Sequence, residues 1–511
     1  MKINQLKAGV IISYVSMFLG NLISIVYTPV MLRLLGQSEY GLYNLVVSVV
    51  GYLGLLSFGF GSAYVRYYSI YKVKNDDKNI ARLNGMFLTV FFIIGFVALL
   101  AGSVLVMNTE NMFRAKLSMA EIAKTKILMS ILVFNIAVSF PFSVFDSYIT
   151  ANEQYFFQRI LNMVKTIVSP FVVLPLLLLG YRSVAMVVVL TCVNIAVGIA
   201  NIVFCYKKLH IQVDFKNFDL SLLKEIALFS SFIFINIVSD QINWNVDKFL
   251  LGIFQGTVAI AIYGVASQLN NYYLSFSTSI SSVFIPKINQ MVAQSDDNKE
   301  LTYLFTKVGR IQFIILSLIM TGLIFFGQPF INNIWAGKNY QDSYAIALVL
   351  MIPVTIPGIQ NLGIEIQRAK NLHKFRSVVY LFIAIANLLL SIPLCKLYSG
   401  LGCAIGTAIA LFIGNGLLMN IYYHKKVKLD MKYFWIQILK FIPALILPSI
   451  FGILITRFVD LNRTTNLLLF GILYIAVFCA SMWFSGMNPY EKELFRQPMQ
   501  KIWKKLRPTK A

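Results

Sequence analysis

Fourteen apolar stretches run along the chain, and positive charge collects in every second gap between them. A hydrocarbon core about 30 Å thick takes roughly 20 apolar residues per helix. Lipid offers no partner to an unpaired backbone group, so apolar runs of this length are helical. The spans fall at approximately 8–32, 41–65, 84–107, 126–150, 158–179, 183–206, 225–253, 257–285, 305–327, 343–367, 375–396, 400–423, 434–456 and 464–485. The expected fold class is therefore an all-α polytopic membrane protein with an even number of crossings.

Composition supports lipid as the solvent. Of 511 residues 58% are hydrophobic and only 13% charged, against about 25% charged in soluble domains. The net charge of +23 could suggest nucleic acid, but the basic residues border apolar spans and form no separate basic domain. The N-terminus, the even-numbered gaps and the C-terminal tail hold 31 of the 44 Lys and Arg, and the odd-numbered gaps hold 10. Cytoplasmic loops carry the excess of Lys and Arg, so both termini are expected in the cytoplasm. The opening run from Met1 to Val30 exceeds a signal-peptide core and reads as a retained first span. The five cysteines lie in apolar spans without metal or disulfide spacing, and the three histidines fall in charged gaps, so no metal site or cofactor is expected.

An internal repeat appears at an offset of 218 residues. Ala151 pairs with Ala369, Phe157 with Phe375, Ile167 with Ile385, Pro175-Leu176 with Pro393-Leu394, Gly198 with Gly416, and Lys207-Lys208 with Lys425-Lys426. The offset covers six crossings, so both copies have the same orientation, related by an axis along the membrane normal. The expected organisation is a six-helix bundle over 1–208, a second over 209–426, two added helices over 427–486 and a basic cytoplasmic tail over 487–511. The tail suits anionic lipid or simple solvation.

The spans are not equivalent. Residues spaced i, i+4, i+7 and i+11 share one helix face, and span 7 carries Asn236, Asp240, Asn243 and Asp247 at that spacing. Span 2 carries Asn44, Ser48, Gly51, Ser62 and Arg66. Span 8 carries Tyr263, Ser267, Asn270, Ser277 and Ser281, and span 1 carries Ser13, Ser16, Gly20, Ser24 and Tyr27. Span 4 adds Asn135, Ser139, Asp146 and Thr150, and span 5 adds Gln158, Asn162, Lys165 and Ser169. Small and polar residues also mediate helix packing. A carboxylate at the bilayer centre, however, costs about 2.5–3.5 kcal/mol even on the mildest insertion scale. Two on one face call for partners or water, so these faces are expected to line a polar cavity.

Asp240 and Asp247 are the leading candidates for coupling to Na⁺ or H⁺, with Asp146 and Glu365 beside them. Asp247 also fits a salt bridge near the outer surface. Lys165, within span 5, fits either an anionic ligand such as a phosphate or an ion pair with Asp146 or Glu365. Arg66 fits a diphosphate or a headgroup anchor. Span 10 holds Pro353 and Pro357 ahead of Asn361, Glu365 and Arg368, and prolines four apart predict a bend.

The segment from Met31 to Tyr43, with Leu35-Gly36 and Glu39-Tyr40-Gly41-Leu42-Tyr43, resembles the first loop of bacterial polysaccharide flippases. The stretch Phe58-Gly59-Phe60-Gly61-Ser62-Ala63 is similar to theirs as well. So is a second marker, Asp247-Lys248-Phe249-Leu250-Leu251-Gly252 followed by Ile262-Tyr263-Gly264-Val265-Ala266. The resemblance implies the multidrug/oligosaccharidyl-lipid/polysaccharide exporter superfamily, with two six-helix bundles around a central cavity lined mainly by spans 1, 2, 7 and 8. Within it the chain resembles the O-antigen or capsule repeat-unit (Wzx-type) flippases.

That resemblance implies a bacterial cytoplasmic-membrane protein that moves an undecaprenyl-diphosphate-linked oligosaccharide outward by alternating access. The diphosphate would lie near Lys165, Arg66 or Arg159, and the glycan among Asn44, Asn162, Asn236, Asn243, Asn270 and Tyr263. The implied partners are that lipid-linked glycan, membrane lipids, and polymerase and chain-length proteins of the same pathway, with no nucleic acid. The alternatives are a cation-coupled multidrug exporter and a lipid II-type flippase of the same superfamily. A membrane enzyme is disfavoured, because the outer gaps are short and no histidine lies inside a span.

Overall fold

The computed structural model describes residues 5–216, 218–294, 297–494 and 496. About 89% of it is helical, with no strand among the described residues. The helices are α1 (Gln5–Leu35), α2 (Gln37–Gly51), α3 (Phe60–Val73), α4 (Asp77–Phe113), α5 (Met119–Ala151), α6 (Tyr155–Leu178), α7 (Arg182–Lys207), α8 (Leu220–Phe254) and α9 (Thr257–Gln294). They continue with α10 (Asn298–Pro329), α11 (Ser343–Ile359), α12 (Leu362–Ala369), α13 (His373–Leu411), α14 (Met419–Lys425), α15 (Met431–Leu439), α16 (Ile442–Phe458) and α17 (Thr464–Ser481). Each expected span falls mainly on helix, with spans 2, 10 and 13 each divided between two helices. Nine helices among the described residues are long and apolar enough to cross a bilayer, or up to eleven if bent pairs count as one span. The chain is thus an all-α polytopic membrane protein, and the number fourteen stays an expectation.

Local chemistry sets the boundaries. Gly36, at φ 77°, turns α1 into α2, a conformation that costs a residue with a Cβ. Asp76 caps α4 by accepting from the Asn79 backbone N–H, a bond that also holds its carboxyl below the usual range. Ser118 and Glu121 form a reciprocal capping box on α5. Within α13 the helix is interrupted at Tyr398 and Ser399, the latter at φ 53°, which separates expected spans 11 and 12. The prolines of span 10 are followed by a 44° bend between α11 and α12, as their spacing predicts.

The contacts gather the chain into two compact units, Met1–Val265 with Ser377–Ala410, and Ala266–Arg376 with Leu411–Ala511. In the first unit α4, α5 and α7 pack side by side and α1 lies along α6. Its core is aromatic. Tyr64, Phe87, Phe91 and Phe140 meet in edge and stacked contacts, and the Tyr64 hydroxyl bonds Asn84. In the second unit α15, α16 and α17 all pack on α10. There Arg310, 5% exposed, forms a two-pronged pair with fully buried Glu491 at 2.5 and 2.9 Å. The same guanidinium donates to the Gln437 and Gly486 carbonyls. Of the expected basic tail, residues 497–511 lie outside the described residues, as do the side chains of Ser13 and Ser16 on the span 1 stripe.

Candidate functional site

Asp247 lies near the end of α8 and is 2% exposed. Its Oδ2 accepts from the Tyr263 hydroxyl of α9 and, at 2.7 Å, from the Thr407 hydroxyl of α13. Thr407 Oγ1 is also 3.0 Å from Asn387 Oδ1, which accepts from Ser391 at 2.9 Å. One hydroxyl proton serves one acceptor, so Thr407 cannot satisfy both oxygens at once. Asp247 Oδ1 and the Asn387 amide nitrogen have no partner. A buried carboxylate is costly unless a proton, a cation or a full set of donors offsets it. Carboxylate, amide and hydroxyl oxygens are the donor set of hard cations. Asp247, Asn387, Ser391 and Thr407 thus have the chemistry to hold a proton or a small hard cation.

The α8 stripe does not act as one unit. Asn243, one turn before Asp247, is 3% exposed with both amide atoms unpartnered, so it extends the polar region along the helix. Asn236 donates to the Ser377 hydroxyl at 2.9 Å, and Asp240 is exposed. In the second unit, Asn270 is 1% exposed with an unpartnered Oδ1.

Lys165 of α6 carries the positive charge. Its ammonium donates at 2.5 Å to Asn194 of α7, which donates at 3.1 Å to Asn135 of α5, which donates at 2.9 Å to Thr191. Neither carboxylate weighed as an ion-pair partner is used: Asp146 accepts from Gln158 at 2.9 Å, and Glu365 pairs with Arg368 at 2.8 Å. Among the described residues no carboxylate oxygen lies within 4 Å of Lys165. A chain of neutral amides therefore positions the Lys165 ammonium without pairing its charge. Arg159 and Asn162 are exposed on the same helix, six and three residues before Lys165. Arg66 is exposed on α3 with its guanidinium 4.3 Å from the Phe229 ring centroid, a cation–π contact.

The segments around the two sequence markers pack against each other. Glu39, 6% exposed, is held by Lys124, by the Ser183 hydroxyl and by Arg182 at 3.7 Å. Two residues on, a Cβ at Gly41 would overlap the Thr257 carbonyl. Gly252 lies where a Cβ would be 2.5 Å from Leu45, and Gly264 where one would be 3.1 Å from the Asn44 amide. Asn44 itself is buried and donates to the Tyr40 carbonyl. Glu121 spans this seam, accepting from Ser38 at 2.7 Å and Thr257 at 2.8 Å.

The polar stripes read from the sequence do not include Asn387, Ser391 and Thr407, which lie in the largely apolar spans 11 and 12. A faint signal was present: Asn387 and Ser391 are four apart in an otherwise apolar run.

A Shigella flexneri protein that carries the provisional name O-antigen transporter is 21% identical over 404 residues, covering 76% of this chain and 91% of its own. Among solved structures, the lipid II flippase MurJ in an inward closed conformation superposes with a TM-score of 0.71 at 19% identity, over 92% of this chain and 98% of that one. An inward-facing multidrug resistance MATE family transporter of the MOP superfamily gives 0.62 at 11% identity, over 81% and 95%. These likenesses establish the fold. Residues 6–292 match the family of polysaccharide biosynthesis proteins, and the chain belongs to that family.

Proposed function

We propose that the chain is a flippase that moves an undecaprenyl-diphosphate-linked oligosaccharide repeat unit across the bacterial cytoplasmic membrane for surface polysaccharide synthesis. The observation that carries this reading is Lys165, a cation within a membrane helix that bonds only neutral amides. A half-buried cation kept free of carboxylates suits a ligand that brings its own negative charge, as a diphosphate does. Family membership and the name of the Shigella relative point the same way.

In this reading both termini are cytoplasmic, two six-helix bundles (1–208 and 209–426) alternate access, and the helices of 427–486 are an addition. Lys165, Arg159 and Arg66 receive the diphosphate. Asn162, Asn236 and Asn243 are the glycan-facing candidates of the first unit and Asn270 that of the second, while Asn44 and Tyr263 are already bonded to the Tyr40 carbonyl and to Asp247. Asp247 is the coupling position for Na⁺ or H⁺, favoured over Asp240, Asp146 and Glu365 because its Oδ1 is buried and unpartnered. Polymerase and chain-length proteins would take up the product.

Restoration of surface glycan in a flippase-null strain tests the proposal. Lys165→Ala is expected to lower export strongly and Lys165→Arg to retain part of it. Normal export by Lys165→Ala would overturn the assignment of the diphosphate site. A cation-coupled drug exporter has the same fold and the same use for Asp247, but no use for Lys165. Drug susceptibility in a null strain separates the two.

A further inference from the structure

A groove on the first unit is lined by none of the polar residues discussed above. It is formed by α4, α5, α7 and the segment after α7, with a cavity volume of about 590 Å³. Its walls include Phe92, Phe96, Phe134, Pro141, Tyr206 and Phe215, and no lining residue is charged. The Tyr206 hydroxyl is the only polar side-chain group on the wall. Gly95 shapes the groove: its missing Cβ, which would lie 2.6 Å from the Ala137 carbonyl, lets α4 touch the α5 backbone. Pro141, inside α5 and beside Gly95, has no backbone N–H to donate.

The length and one end of the groove identify what fills it. The three helices are candidate membrane spans, so hydrocarbon is the medium that reaches the groove. Along α4 the wall runs from Leu88 to Leu99, about 16 Å at the helical rise. That matches one leaflet's share, about 15 Å, of the hydrocarbon core. A chain of a leaflet lipid fits this depth, whereas a long polyprenyl tail does not. At one end the wall residues Tyr206 and Phe215 adjoin Lys207, Lys208 and Lys216, all three exposed. The Lys216 backbone N–H donates to Asp214 Oδ1 at 2.9 Å, so one carboxylate also lies at this rim. The rim remains cationic, as basic pockets for acidic lipid headgroups are.

We propose that this groove is a binding site for an acidic glycerophospholipid, one acyl chain lying between α4, α5 and α7 and the phosphate against Lys207, Lys208 and Lys216. The groove shares no lining residue with the candidate site, and the proposal stands whatever substrate the protein carries.

Native mass spectrometry of the full chain in detergent tests it, with phosphatidylglycerol and phosphatidylcholine of identical chains as probes. Phosphatidylglycerol is expected to stay bound in preference to phosphatidylcholine. Replacing the three lysines with alanine is expected to weaken retention about a hundredfold. Leu99→Trp, which fills the groove from a half-exposed position, is expected to lower binding of both lipids. Melting temperature verifies that each variant is folded, and the lysine variant, altered only at exposed positions, carries the test if the tryptophan variant does not fold. Equal retention of the two lipids, or undiminished phosphatidylglycerol on the lysine variant, would overturn the proposal. So would displacement of phosphatidylglycerol by polyprenyl phosphate at equal concentration, which would make the groove a carrier-tail site.

Discussion

At Asp247 two hydroxyls, from Tyr263 and Thr407, converge on a single carboxylate oxygen and leave the other bare. Neutralising the side chain without changing its shape separates the charge from the packing. Asp247→Asn is expected to fold as well as the native chain and to abolish the dependence of transport on Na⁺ or on the proton gradient, measured as glycan export at varied Na⁺ and pH. Thr407→Val removes a donor to the same oxygen and is expected to shift that dependence in the same direction. Unchanged cation dependence in both would remove Asp247 from coupling. Lys165 is the opposite case, since its amide chain through Asn194 and Asn135 positions the charge without cancelling it. Losing a hydrogen bond to a charged group costs about 1.5–3 kcal/mol. Lys165→Ala should therefore weaken binding of a diphosphate-bearing lipid by about ten- to a hundredfold, read by displacement of a labelled polyprenyl diphosphate.

Between elements, glycine seams and one buried ion pair determine what can touch. Gly41→Ala drives a Cβ into the Thr257 carbonyl, and overpacking of this kind costs about 1–3 kcal/mol. The melting temperature in detergent should fall for Gly41→Ala and hold for Gly54→Ala, whose Cβ would meet nothing within 4 Å. In the second unit, Arg310→Met strands Glu491 in the interior, a loss of about 3–5 kcal/mol. The double variant R310M/E491M should recover much of it, because an apolar pair leaves no buried charge.

The sequence made the helices legible through run length and charge alternation, and it made Asp247 and Lys165 legible because charge is rare inside spans. It could not reveal which neutral groups surround them. Asn387, Ser391 and Thr407 are scattered polar residues in the largely apolar α13, and only the folding of α13 onto α8 and α9 brings them to Asp247. The marker around Glu39 was legible as a pattern without a reason. The structure supplies one: Glu39 is tied to α5 and α7, and Gly41 admits the start of α9.

Over the whole molecule, the fold shared with MurJ and MATE transporters and membership of the polysaccharide biosynthesis family make lipid-linked glycan translocation the central claim. Proteoliposomes test it most directly. Purified full chain is reconstituted with a fluorescent undecaprenyl-diphosphate oligosaccharide, and glycan reaching the outer leaflet is cut by a membrane-impermeant glycosidase. The account predicts that the native chain exposes internal glycan well above protein-free vesicles and that Lys165→Ala slows this about tenfold or more. Exposure no faster than in protein-free vesicles, or an equal rate with Lys165→Ala, would contradict it.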